Sequence, residues 1–111
     1  MSFSPGDVLL VPVMFSDGSG QKKRPVVVVH DGGDADLLVA PVTSQAARSA
    51  HDVLVANWQR AGLRLPSIVR LEKLATVEKT TVVRRMGQLA PDDWEKAKTV
   101  LKQFFADILA R

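Results

Sequence analysis

Pro25-Val26-Val27-Val28-Val29-His30 runs through four consecutive β-branched residues before it meets a polar one, so it reads as a strand apolar on both faces and central in its sheet. The segments on either side extend the pattern. Upstream, Gly6-Asp7 opens Val8-Leu9-Leu10-Val11-Pro12-Val13, a second strand, in which Pro12 has no N–H for a ladder and belongs at a sheet edge or a bulge. Ser16-Asp17-Gly18-Ser19-Gly20-Gln21-Lys22-Lys23-Arg24 then predicts a long polar loop between the two strands. Downstream, Asp31-Gly32-Gly33-Asp34 is a turn leading into the buried strand Asp36-Leu37-Leu38-Val39-Ala40-Pro41-Val42. Residues 46–50 are small and aperiodic. Asp52-Val53-Leu54-Val55 predicts a short strand, and Asn57 to Gly62 a loop or one helical turn. Pro66 to Val77 predicts one bent strand or two short ones. Thr81 to Leu89 predicts the last strand, with Gly87 allowing a bulge.

Helical period is confined to the C-terminal segment. Pro91 suits a first helical position and Asp92 and Asp93 complement the dipole there. Trp94, Ala97, Leu101, Phe104 or Phe105, and Ile108 recur every three to four residues, a core-facing stripe. The expected architecture is a single α+β domain over residues 1–111, mainly β, with five to seven short strands and one C-terminal helix covering a face of a small barrel. Nothing resembles a dinucleotide fold or a P-loop, because the glycines of Gly18-x-Gly20 are not followed by a helix.

Composition removes whole classes of chemistry. The 111 residues contain no cysteine, which excludes disulfides, thiolate metal sites and a cysteine nucleophile. Two histidines, His30 and His51, are too few for a histidine cage and leave only a two-His site completed by carboxylates. We read His30 as structural or partly buried, and His51 as exposed. No uninterrupted apolar run approaches the roughly 18–20 residues of a membrane span, and Met1 to Pro5 has neither a basic n-region nor an apolar h-region, so the expectation is a cytoplasmic protein with no membrane partner. The net charge of +3 says less than its distribution: residues 91–111 carry four bases and four acids, which leaves 11 bases against 8 acids in residues 1–90. An anion site belongs in that part.

Three constellations there can carry chemistry. Gln21-Lys22-Lys23-Arg24-Pro25 brings three cations to the mouth of a buried strand, with Arg24 held by its rigid neighbour. An arginine so placed can grip a phosphate or stabilise charge in phosphoryl transfer, although such runs are more often solvated surface. Pro41-Val42-Thr43-Ser44-Gln45 ends a buried strand in three hydrogen-bonding side chains, able to hold a phosphate or a 2′-hydroxyl, or simply to close a turn. In Ser67-Ile68-Val69-Arg70-Leu71-Glu72, strand period places Arg70 and Glu72 on one face, as an acid and base or as an ion pair. Trp94, Phe104 and Phe105 read as core, and Trp58 as a binding surface or lid. Arg84 and Arg85 must point to opposite faces, so at most one joins a basic patch.

Taken in order, Pro5-Gly6-Asp7-Val8, the loop closing on Gln21-x-x-Arg24-Pro25, Ala40-Pro41-Val42-Thr43-Ser44-Gln45, and Ser67-Ile68-Val69-Arg70-Leu71-Glu72-Lys73-Leu74-Ala75-Thr76-Val77 resemble the PemK/MazF family of toxin endoribonucleases. The resemblance runs from about residue 5 to the terminal helix. It implies an SH3-like barrel that forms a homodimer, cleaves single-stranded RNA or mRNA without metal or cofactor, and is inhibited by a cognate antitoxin. It further implies catalytic roles for Arg24 and Thr43, and for Arg70 and Glu72, although the family commonly has Asp where this chain has Glu72. Gln21, Lys22, Lys23, Ser44 and Gln45 would seat the RNA. A histidine that some members carry in the first loop has no counterpart between Val13 and Arg24. Two rivals share the barrel. A topoisomerase-poisoning branch acts through a terminal Trp-Gly-Ile, where this chain has Leu109-Ala110-Arg111; an inactive RNA- or partner-binding homologue is countered by the presence of Arg24 and Thr43.

Overall fold

A computed structural model describes residues 2–14 and 20–111. Seven strands, β1 (Asp7–Met14), β2 (Gln21–His30), β3 (Asp36–Thr43), β4 (Asp52–Val55), β5 (Ser67–Arg70), β6 (Ala75–Glu78) and β7 (Arg84–Gln88), precede one helix, α1 (Pro91–Leu109). The sheet runs β4-β5-β3-β2-β1-β7, with β6 also paired to β3. All pairings are antiparallel. β3 therefore has β2 along one edge, while its other edge is shared by β6 at Asp36 to Val39 and β5 at Val42 and Thr43. That change of partner curls the sheet into a half-barrel. This is the mainly-β architecture with one terminal helix that the sequence predicts.

The apolar runs follow from burial on both faces. Along β1, β2 and β3, Val8, Val27, Ala40 and Val42 enter one core cluster, whereas Leu9, Val11, Val26, Val28, Leu37 and Val39 enter the other. Alternate side chains thus serve opposite cores, so no polar position is available between them. The first cluster is closed by α1 through Ala97 and Trp94, and Trp58 packs against its margin as part of the core's rim. Pro12 lies where β1 pairs with β2 only, because the β7 pairing stops at Leu10, so its missing N–H costs no ladder bond there.

Several local expectations need correction. β2 begins at Gln21, so Gln21, Lys22, Lys23 and Arg24 are strand residues paired with β1, whereas the rest of the expected loop falls largely in residues 15–19, outside the described residues. Pro66 to Val77 is two strands separated by a turn, and β7 is shortened to Arg84–Gln88 by a 3-10 turn at Lys79–Thr81. The helix stripe is only partly used: Phe104 is half-buried, but Phe105 and Ile108 are exposed and Leu109 is 80% exposed, because α1 outruns the sheet beneath it. Among the described residues no helix is long and apolar enough to cross a membrane.

Candidate functional site

A cavity of about 550 Å³ opens where β2, the end of β3, the segment between β4 and β5, and β7 converge. Lys22, Lys23 and Arg24 come from β2, Thr43 and Ser44 from the end of β3, Arg64, Leu65 and Ser67 from the connection into β5, and Arg84 and Met86 from β7. Among the described residues, five that line it are cations and none is acidic. All five are exposed, and among the described residues none makes a salt bridge. Such a concentration of uncompensated positive charge with low-dielectric walls raises the local potential for a polyanion.

Arg24 pairs with Val11 across the ladder and is held extended by Pro25, whose ring excludes the helical region for the residue before it. Thr43, the last residue of β3, pairs with Ile68. Its Oγ1 accepts the Gln45 N–H at 3.2 Å, which leaves its own proton to donate into the cavity. Arg24 and Thr43, both anticipated from sequence, therefore face one volume together with Lys22, Lys23 and Ser44. Gln21 and Gln45 do not line it. Gln21 is the exposed first residue of β2, and Gln45 Oε1 instead accepts from Arg70 Nη2 at 3.4 Å.

Arg70 and Glu72 are not brought to the cavity, and they do not share a strand face. β5 ends at Arg70, and Leu71, Glu72 and Lys73 form the turn that carries the chain to β6, so period 2 stops before Glu72. Arg70 is 8% exposed, with Nη1 at 2.9 Å from Asp52 Oδ2. The result is a chain of bonds, Asp52 to Arg70 to Gln45 to Thr43, that runs from the buried Arg70 guanidinium to the exposed turn at the cavity's edge. Glu72 faces His51, 3.7 Å away at Nδ1, and His51 Nε2 lies 3.0 Å from Asp107 Oδ2 on α1, with the imidazole tilted against Phe104. The Asp107 hydrogen bond, aided by Glu72, raises the His51 pKa above its ordinary value. His51 is thus half-buried and anchored, whereas His30 at the end of β2 is exposed, the reverse of the sequence reading.

Sequence reasoning missed the Arg64 wall and half-saw Arg84. Arg85 points away and binds Asp7 Oδ2 through Nε at 3.2 Å and the Ser2 carbonyl through Nη2, while Arg84 lines the cavity, as expected of adjacent strand positions. The available signal for the other wall was Gly62-Leu63-Arg64-Leu65-Pro66, a cation between a glycine free to take positive φ and a proline that restricts the backbone before it. Gly62 has φ of +81° and packs against the Met86 carbonyl, and a Cβ on Gly87 would lie 2.7 Å from the Ala61 carbonyl oxygen. Two glycines thereby let the connection and β7 touch backbone to backbone. The bulge falls beside this contact, since Val8 pairs with Gly87 and Leu9 with Arg85, leaving Met86 as the extra residue.

The family model for the PemK-like, MazF-like toxin of type II toxin-antitoxin systems matches residues 4–105. The chain belongs to this family. No curated protein matches it. Among solved structures, it is similar to an endoribonuclease of a mycobacterial species in complex with its cognate antitoxin, with a TM-score of 0.77, 17% identity, and coverage of 95% of this chain and 96% of that one. The Mycobacterium tuberculosis toxin MazF-mt6 superposes with a TM-score of 0.70 at 20% identity, covering 88% and 96%. The MazF of a MazE-MazF structure from Deinococcus radiodurans gives 0.76 at 13%, covering 96% and 98%. These identities carry the fold alone. In this member of the PemK-like toxin family, the cavity gathers five cations beside Thr43 and Ser44.

Proposed function

We propose that the chain is the toxin of a type II toxin-antitoxin pair and acts as a metal-independent, sequence-specific endoribonuclease on single-stranded RNA, mRNA included. The observation that carries the reading is the convergence of Arg24 and Thr43 in a cavity with four further cations and no acid among its described lining residues. RNA brings its own nucleophile. Attack of the 2′-oxygen on the adjacent phosphorus forms the 2′-O–P bond and breaks the P–5′-O bond, giving a 2′,3′-cyclic phosphate and a 5′-hydroxyl end. The 2′-hydroxyl loses a proton and the departing 5′-oxygen gains one.

Arg24 is placed to stabilise the extra negative charge on the phosphorane-like transition state and to donate toward the leaving oxygen. Thr43 donates its free hydroxyl proton to a non-bridging phosphate oxygen. Among the described residues no carboxylate or imidazole lines the cavity, so in this reading the 2′ proton passes to water or to a phosphate oxygen, and Glu72, which faces His51, has no part in this step. Arg70 acts as a positioning residue: its bond to Gln45 supports the turn that presents Thr43. Lys22, Lys23 and Ser44 seat the flanking phosphates. A homodimer and a cognate antitoxin acting on the same groove belong to this reading.

Incubation of the purified protein with single-stranded RNA and with DNA of the same sequence, both in EDTA, tests it. RNA is cut to cyclic phosphate ends and DNA is bound intact. Arg24→Ala lowers the rate by about 10² to 10³, the scale for removing one charge-stabilising donor. Cleavage abolished by the chelator, or an Arg24→Ala rate equal to the parent's, would sink the mechanism.

A further inference from the structure

A large apolar side chain stands exposed at the edge of this cationic cavity. Leu65 is 58% exposed and lies between Arg64 and Pro66. Its exposure is not that of a loose loop. Upstream, the Ala56 and Asn57 N–H groups donate to the buried Asp93 carboxylate at 3.1 and 2.9 Å, and Leu63, itself buried, donates its N–H to the Trp58 carbonyl at 3.0 Å. The middle is clamped to β7 by the backbone contact at Gly62 and Gly87. Downstream, the Ser67 hydroxyl donates to the carbonyl of Leu65 itself at 2.7 Å, and Pro66 confines Leu65 to extended backbone. The connection is therefore a rigid ledge that holds one cation and one apolar side chain at a fixed place in the cavity that Arg24 and Thr43 also line.

A ligand that satisfies both must alternate charge with flat apolar surface, and a single-stranded nucleic acid does so at every nucleotide. We infer that the Arg64–Leu65 ledge is a base-reading element: Leu65 packs on the face of one base beside the scissile phosphate, and Arg64 holds the phosphate next to it. This rests on the RNA-cleaving reading above and adds to it the residues that set sequence preference. Leucine is a suitable wedge against a base face, since apolar side chains of this kind insert at base steps in nucleic-acid complexes. Its fixed position limits which bases fit against it. Arg64 carries no such information, because a phosphate is the same at every nucleotide.

The two residues thus make separable predictions. The cleavage motif of the parent protein is first defined by sequencing RNA 5′ ends, and short RNAs varied one base at a time around it are then cut by the parent, Leu65→Ala, Leu65→Met and Arg64→Ala. Leu65→Ala lowers kcat/KM on the preferred RNA roughly tenfold to a hundredfold, the range of one base contact, and flattens discrimination at one position only. Leu65→Met restores it. Arg64→Ala weakens all RNAs alike and reduces the salt slope of binding to the matching, uncut DNA by about 0.7. Melting temperatures stay within a few degrees of the parent's, since both side chains are exposed.

Unchanged discrimination in Leu65→Ala, or an equal loss at every position, overturns the inference while leaving the nuclease intact. Unchanged cleavage with lost binding to an inhibitory antitoxin peptide overturns it in favour of protein recognition by the ledge. A parent protein that cuts no RNA removes the underlying reading and the inference with it.

Discussion

The salt dependence of nucleic-acid binding can be worked out from the cavity's composition. Five exposed cations without salt bridges among the described residues line it: Lys22, Lys23, Arg24, Arg64 and Arg84. If each neutralises one phosphate of a single strand, log K falls against log salt with a slope of about −0.7 per phosphate, hence about −3.5 for the site. Raising salt fourfold, from about 50 to about 200 mM, is roughly 0.6 decades, so affinity drops by about 10². Removing one cation, as in Arg24→Ala, reduces the slope to about −2.8 and the drop to roughly 50-fold. The assay is fluorescence anisotropy of a labelled single-stranded DNA that binds without being cut, titrated at four or more salt concentrations. A parent slope of about −1 or shallower refutes the reasoning, because it means that the cations sharing the cavity do not share a strand. A slope unchanged by Arg24→Ala refutes the placement of Arg24 in particular.

Two further outcomes follow from the frame that holds the site. Gly62→Ala must adopt φ near +81° and drive its methyl into the Met86 carbonyl, so we expect a loss of about 2–3 kcal/mol in urea unfolding together with weaker RNA cleavage; a parent-like midpoint contradicts the backbone contact. The His51 clasp should be pH-dependent. Its raised pKa adds stability that is fully present below the ordinary value of 6.5 and is lost as pH rises through the raised one. Asp107, lowered from 3.8 first by the His51 hydrogen bond and then by Gln103, and Glu72, lowered from 4.5 first by Ser49 and then by His51, contribute above those values and lose the contribution as pH falls through the lowered ones. The melting-temperature gap between the parent and Asp107→Asn is therefore widest between about pH 5 and 6 and shrinks by pH 8; an equal gap at both ends of that range disproves the clasp.

What the sequence disclosed and what it hid have one physical cause, the range of the interaction. Val26 to Val29 announce a two-faced core because each side chain answers to its own face, and α1 is announced by period and by Pro91 at its first position. Arg24 is legible because Pro25 constrains it from the next position. By contrast, extending strand period from Arg70 to Glu72 fails because β3 changes partner from β5 to β6, which requires a turn at Leu71 to Lys73 that only the sheet's closure dictates. His51 is anchored by Asp107, 56 residues away, and nothing near it in sequence marks that bond. Arg64 and Leu65 were passed over for the same reason: the clamp that makes their loop rigid joins Gly62 to β7 and Ala56 and Asn57 to Asp93.

The long-range partners also explain why a net charge of +3 understates the site. The buried acids are committed inside the fold. Asp7 accepts from Ser4, Arg85 and Gln88, Asp52 from Arg48, Ser49 and Arg70, and Asp93 from two backbone amides. Each holds a loop, a strand end or the helix start in place, and each is screened from the cavity by the core it supports. The arginines that answer them, Arg85 and Arg70, are the ones turned away from the cavity. Five of the other cations, Lys22, Lys23, Arg24, Arg64 and Arg84, then face one volume with no carboxylate among its described lining residues. Charge separation of this kind is set by the pairing of strands rather than by composition: the acids lie where backbone N–H groups and arginines need acceptors, and the five cations lie where the strand ends leave them without one.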